Sequence, residues 1–167
     1  MKVDVISPAG DFALRIAQQR TSTIPIVANS DDMLGMGLVP SLARPGGNAT
    51  GLTILSPELS AKRLQLLRDF MPGLSRVASL WDPATGASQV TQTKRAAQSM
   101  QIELQILELR RSEDLVVAFE TAKRAQAEAV NMLSSPFLAS LYREIIDLAS
   151  SYRLSAAGRS TRLRPSG

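Results

Sequence analysis

Short apolar runs alternate with helix-length amphipathic stretches along most of this chain, and that rhythm constrains the fold more than any other feature. Arg76–Trp81, residues 102–109 and residues 129–133 read as strands. Between and around them lie helical patterns. One starts at Ser56-Pro57-Glu58, with Leu59, Leu66, Leu67 and Phe70 on its apparent inner face; a second carries Val90, Ala97 and Met100. A third carries Leu115, Phe119 and Ala122, and the last carries Phe137, Leu138, Leu141, Ile145, Leu148 and Tyr152 as one long stripe. Strands separated by helices of this length are joined by right-handed crossovers and run parallel. The predicted fold class is therefore α/β, a parallel sheet with flanking helices.

The N-terminal part has the same rhythm in less regular form. Residues 3–6 read as a strand, and Pro8 with Phe12, Ile16 and Ala17 as a helix. Residues 24–28 form the next strand and residues 29–32 a polar turn. Residues 33–43 read as a short helix weakened by Gly35 and Gly37. Arg44-Pro45-Gly46-Gly47-Asn48 then breaks the pattern, because Pro45 disfavours helix before it and the glycines open backbone angles closed to other residues. This segment is predicted to join two lobes. The expected division is residues 1–53 as a partial first lobe with the junction, residues 54–154 as a second lobe, and residues 155–167 as an irregular basic tail. Both ends look cut, since residues 3–6 have no preceding strand to shield them and residues 155–160 make a poor strand.

Composition excludes several classes of function. The 167 residues are 44% apolar and 20% charged, ordinary for a soluble globular protein. No apolar run reaches the roughly 20 residues of a membrane helix. The net charge is +4, and Arg153, Arg159, Arg162 and Arg164 stand beside Ser, Thr and Gly rather than aromatics. That pattern reads as a frayed tail, with no nucleic-acid partner. The chain has no Cys and no His, which removes thiol nucleophiles, disulfides, and the commonest metal ligand and neutral-pH base. No acids are spaced for acid–base work, and Gly46-Gly47 lacks the Lys of a phosphate loop. No enzyme activity, metal or cofactor is expected. Met1–Ile6 shows no signal peptide, so as written the chain would be cytoplasmic.

In open parallel sheets ligands bind outside the carboxyl ends of the strands. Those ends supply the candidate ligand-binding residues: Ser7 and Ala9, then Asn29, Asp31 and Asp32, then Trp81, Asp82, Thr85 and Ser88, and finally Ser134 and Ser135. Hydroxyls and amides near helix N-termini suit a carboxylate, and an Asp suits an ammonium, so a small zwitterion fits. Plainer readings stand beside these. Ser56, Ser112 and Ser135 read as plain helix caps ahead of ligand contacts and Trp81 as a packed aromatic ahead of a stacking platform, while Asp82-Pro83 serves equally as a turn pair.

Longer motifs carry a resemblance. Thr23-Ile-Pro-Ile-Val27, Asp32 with Gly35-Met-Gly-Leu-Val39, and Ser41-Leu-Ala-Arg-Pro-Gly-Gly-Asn-Ala-Thr-Gly51 come in unbroken order. Ser56-Pro-Glu-Leu-Ser-Ala-Lys-Arg-Leu-Gln-Leu-Leu67 and Pro72-Gly-Leu-Ser-Arg-Val-Ala-Ser-Leu-Trp-Asp-Pro-Ala84 follow them. Together they resemble the substrate-binding proteins of ABC transporters, of the TrpX-like, periplasmic-binding-protein type I-like kind, some of which bind aromatic amino acids. The resemblance runs from about Val3 to about Leu154 and implies an exported, two-lobed protein that closes on its ligand like a hinged trap. Gly46-Gly47 would be one strand of that hinge. The chain would match only the tail of the first lobe and most of the second, so it resembles a truncated member. Beyond Leu154 it departs from the family pattern.

The reading that follows is the substrate-binding component of an ABC importer, capturing a small amino-acid-like solute in an interlobe cleft. Its partners would be that solute and, if exported, an ABC permease, with a periplasmic or extracytoplasmic location. The exposed first lobe also predicts homo-oligomers. The rivals are a cytoplasmic effector-sensing domain of the same architecture, a small α/β enzyme, and a gene remnant without activity.

Overall fold

The computed structural model describes residues 3–85 and 87–157. It contains two parallel sheets. In the first, β1 (Ile26–Ser30) pairs with β2 (Ala49–Thr53), with Ile26 opposite Ala49 and Ser30 opposite Thr53. The segment ahead of them joins by isolated bridges, Ile6 to Ile26 and Ala9 to Asn29, and not as the strand expected over residues 3–6. Pro8 interrupts that ladder because it has no N–H to give; its carbonyl accepts from Asn29 N at 3.2 Å.

Helix α1 (Asp11–Arg20) starts beyond Gly10, whose φ of 86° turns the chain into the helix. Its inner face is Asp11 and Leu14, while Phe12 (65% exposed) and Ile16 point outward, against the expected stripe. Phe12 and Ile16 share a face by their spacing, but the sheet lies on the other side. Residues 33–43 form turns instead of a helix. The Asp32 carboxylate accepts from Gly35 N at 2.8 Å, Leu38 N and Val39 N both donate to Met33 O, and Gly37 takes a φ of 65°. The turns still bury Met33, Leu38 and Val39 against Leu14, Ile26, Ala28 and Ala49.

The chain changes sheets at Ile54–Leu55, past the end of β2. Ile54 N donates to Ser30 O at 3.1 Å, Ser56 N donates to Asp31 O at 3.2 Å, and Leu55 takes a left-handed φ of 48°. The break at residues 44–48 is therefore not the interlobe junction. It leads into β2 from the opposite end of the first sheet, tied by Asn48 Nδ2 to the carbonyls of Thr21 and Ile24.

The second sheet has strand order β4-β3-β5-β6, all parallel, with β3 (Arg76–Trp81), β4 (Glu103–Glu108), β5 (Ala129–Met132) and β6 (Ser155–Ala157). The strand at residues 155–157 replaces the irregular start expected of the tail; residues 158–167 lie outside the described residues. Helices α2 (Ser56–Phe70) and α3 (Ser88–Ser99) cover one face, closing a core of Leu64, Leu67, Leu74, Val77, Ala97, Ile102 and Ala129. Helices α4 (Asp114–Arg124), α5 (Pro136–Ser140) and α6 (Tyr142–Ser151) cover the other, where Phe119, Leu80, Leu138 and Ile145 meet. The single long stripe of the last helix is thus two helices broken at Leu141, with Leu138, Leu141, Ile145 and Ala149 still on one buried side.

Helix α2 buries Ser56, Ser60, Leu64 and Leu67, whereas Leu59, Leu66 and Phe70 (85% exposed) face solvent. The inward row follows the helical spacing, but half of it is serine, so an apolar count selects the wrong face. Nor does Ser56 cap α2: its hydroxyl donates to Asp31 Oδ1 at 2.8 Å. Ser112 likewise lies outside the α4 cap, which is Glu113 without a side-chain bond. Among the described residues no helix is long and apolar enough to cross a membrane.

Candidate ligand cleft

From β3 the chain runs through α3 to β4 on one side, and from β5 through α5 and α6 to β6 on the other. The two central strands thus diverge at their carboxyl ends, which opens a crevice between the loops that follow them. Asp82 and Ser135 stand on its two lips and are joined. Ser135 Oγ donates to Asp82 Oδ2 at 2.6 Å and accepts from Leu138 N at 3.2 Å, so it caps α5 and bridges the crevice together. Asp82 Oδ1 accepts from Ala84 N at 2.9 Å, and Thr85 Oγ1 donates to Asp82 O at 2.8 Å, fixing the 3₁₀ turn Pro83–Thr85.

Gln89 supports the second loop from behind. Its Oε1 accepts from Ser134 N and its Nε2 donates to Ser134 O, both at 2.8 Å, while the Ser60 hydroxyl lies 3.0 Å from Oε1. All three residues are buried. An amide that matches one residue's N–H and C=O together orients that loop as a strand neighbour would.

The first lobe contributes a matching group of polar ends. Asp11 is 3% exposed, and its Oδ1 accepts from the Ser30 hydroxyl and from Asp31 N at 3.1 Å. Its Oδ2 is buried without a hydrogen-bond partner. Between the lobes lie two adjoining cavities, about 200 Å³ and about 190 Å³. The larger is walled by Asn29, Ser30 and Asp31 on one side, by Met132, Ser134, Ser135 and Ala139 on the other, with Ile54 at the crossing. The smaller lies between Asp11, Phe12 and Asp31 on one side and Asp82, Thr85 and Phe137 on the other; Ala9, Gly10 and Pro136 border both.

The structure brings together Ala9, Asn29, Asp31, Asp82, Thr85, Ser134 and Ser135 from the residues singled out in the sequence. Ser7, Asp32, Trp81 and Ser88 line neither cavity. Ser7 is exposed on the segment before β1, and the Asp32 carboxylate turns back onto Gly35 N. Trp81 is half-buried at the end of β3, and Ser88 is half-buried in the first turn of α3. Asp11, Phe12 and Phe137 were missed. Asp11 follows directly on Gly10 at a helix start, a signal that a helix begun at Pro8 obscures.

No described residue lining either cavity is Lys or Arg. Nor, among the described residues, do acids gather in a group of three that could hold a metal ion. Two carboxylates outside the cavities are displaced from their usual range. Hydrogen bonds from Ser75 and the charge of Arg76 hold Glu128 below its ordinary value, and the Arg110 N–H does the same for Asp114.

Several solved structures share this architecture. A conserved domain protein from Vibrio cholerae superposes with a TM-score of 0.86 at 25% identity, over 96% of this chain and 54% of its own. An ABC domain in complex with L-Trp from Streptococcus pneumonia gives 0.82 at 18%, over 95% and 55%. A periplasmic sugar binding protein of an ABC sugar transporter from Legionella pneumophila gives 0.60 at 15%, over 91% and 57%. The chain thus spans about half the length of the structures it matches. No curated protein matches it. Residues 1–165 match the family described as ABC transporter substrate binding protein, and with two parallel-sheet lobes facing each other across a polar crevice, the chain belongs to that family.

Proposed function

We propose that this chain serves as the substrate-binding component of an ABC importer and captures a small amino-acid-like solute between its lobes. The observation that carries the reading is the pair of adjoining interlobe cavities, walled from both sides by carboxyl ends of strands and holding hydroxyls, an amide and carboxylates. That chemistry suits a zwitterion, with N–H and hydroxyl donors for its carboxylate and acids for its ammonium. The L-Trp complex of the Streptococcus neighbour supports the same solute class. Capture would be non-covalent, a shift toward a closed form with no turnover. An ABC permease would be the partner and an extracytoplasmic compartment the location, as for the periplasmic Legionella neighbour.

The test is a thermal melt of the purified chain followed by Trp81 fluorescence, with a panel of L-amino acids and a panel of sugars. Only binding to the folded state raises the midpoint, and ligand at about 100 times Kd adds roughly 2.7 kcal/mol. One or more amino acids should raise it by several degrees while the sugars do not. A cooperative melt indifferent to both panels would remove the capture reading.

A further inference from the structure

We propose that the open flank of helix α2 is the contact surface for a second copy of this chain, the two helices lying antiparallel about a two-fold axis. The helix buries Ser56, Ser60, Leu64 and Leu67 beneath it, and α3 packs beside it. Along another side Leu59, Leu66 and Phe70 stand exposed. Arg63 completes that line, and steps of four, three and four residues from Leu59 to Phe70 are those of a coiled-coil seam. The Arg63 guanidinium turns inward to Met132 O at 3.3 Å, which leaves its methylene stem at the seam. Single exposed leucines are ordinary on a surface, but an apolar line at heptad spacing marks a contact.

Charge decides which partner fits that line. Lys62 and Asp69 are both exposed and flank it on one edge, seven residues apart. Let two such helices run antiparallel with Leu59 of one copy against Phe70 of the other. Leu66 then meets the Arg63 stem, and Lys62 comes beside Asp69 of the second copy. The two-fold axis repeats the contact, so the interface holds two such ion pairs. A parallel pair would instead set Lys62 and Asp69 toward Ser60 and Leu67, which are buried in the helix's own core. A partner of unrelated sequence would need no self-complementary spacing. The contact is a single helix pair, small beside a standard protein interface, so the dimer is weak and exchanges with the monomer. The inference is independent of what the cleft binds.

The test is sedimentation velocity of the whole chain from micromolar to millimolar concentration. The parent should pass from monomer toward dimer as the concentration rises. Phe70→Ser should weaken association on the order of a hundredfold, since each dimer loses two ring contacts. Lys62→Asp or Asp69→Lys alone sets like charges together and should weaken it on the order of tenfold. The double variant K62D/D69K exchanges the two signs and should restore the parent's association. All three positions are exposed, so these variants should melt with the parent at low concentration.

A chain that stays monomeric throughout overturns the proposal. So does association that survives Phe70→Ser, or a charge exchange that fails to restore what the single reversals lost. Leu52→Lys separates this surface from the exposed sheet face of the first lobe, where Leu52 lies. It should leave association unchanged; loss of the dimer there, with the α2 variants unaffected, would move the contact to the first lobe and overturn the proposal. Where Phe70→Ser fails to fold, the charge reversals and their exchange decide alone.

Discussion

Gly51 has no room for a side chain. A Cβ there would meet the Ala28 carbonyl oxygen at 1.9 Å and its nitrogen at 2.8 Å, and the residue's φ of 153° is one that other residues rarely adopt. Since the obstacle is the backbone of the paired strand, it cannot swing aside. Gly51→Ala should destabilise the chain by about 3 kcal/mol, read as a lower midpoint in urea. Glu128 makes a pH-dependent contribution at the opposite end of the second sheet, where it accepts from Ser75 Oγ at 2.6 Å and pairs with Arg76 at 3.3 Å. Its folded carboxyl titrates below the ordinary 4.5. The stabilisation it brings is therefore complete above that value and is lost as the pH falls through the lower folded one. Glu128→Gln should be less stable than the parent at neutral pH, and the gap should close on acidification.

At the scale of elements, the loop that carries Ser134 and Ser135 owes its position to α3. Gln89→Leu would leave the buried N–H and C=O of Ser134 without partners, which costs at least about 2 kcal/mol. The same variant should blunt the amino-acid response of the melt beyond what lower stability explains. Helix α2 shows why its burial was misread from the sequence. Ser56 and Ser60 face inward because Asp31 and Gln89 await them, and both partners are distant in the chain. Residues 33–43 fail as a helix for a local reason: two glycines and the Asp32 side chain stabilise turns instead. The strands β3 and β5 and the helices α3 and α4 were legible because their apolar spacing survives in the fold, with Val90 and Ala97 buried on α3 and Leu115, Phe119 and Ala122 on α4.

For the molecule as a whole, the two lobes differ in how much holds them. The second has four strands between two helical layers, with Phe119 buried and its ring 5.9 Å from that of Tyr152. Phe119→Ala should cost about 3–5 kcal/mol in a denaturant titration. The first lobe has two full strands, a bridged segment, and one apolar sheet face open around Val5, Val27 and Leu52 (75% exposed). Two strands alone are marginal, so amides of β1 and β2 should exchange with solvent faster than those of β3 and β5. Equal protection in both sheets would contradict that order.

The parallel α/β fold was readable because strand and helix signals are local, set by side-chain spacing within a dozen residues. So was the list of strand ends, and with it much of the cleft wall. What only the tertiary structure decided is which polar groups meet there. Asp11 and Ser30 are 19 positions apart, Gln89 and Ser134 are 45, and Asp82 and Ser135 are 53. The crossing at Ile54–Leu55, in place of the glycine break before β2, belongs to the same class. No periodicity encodes such pairings, because they arise when sheets close and helices pack, and a buried serine or carboxylate follows its partner instead of a repeat.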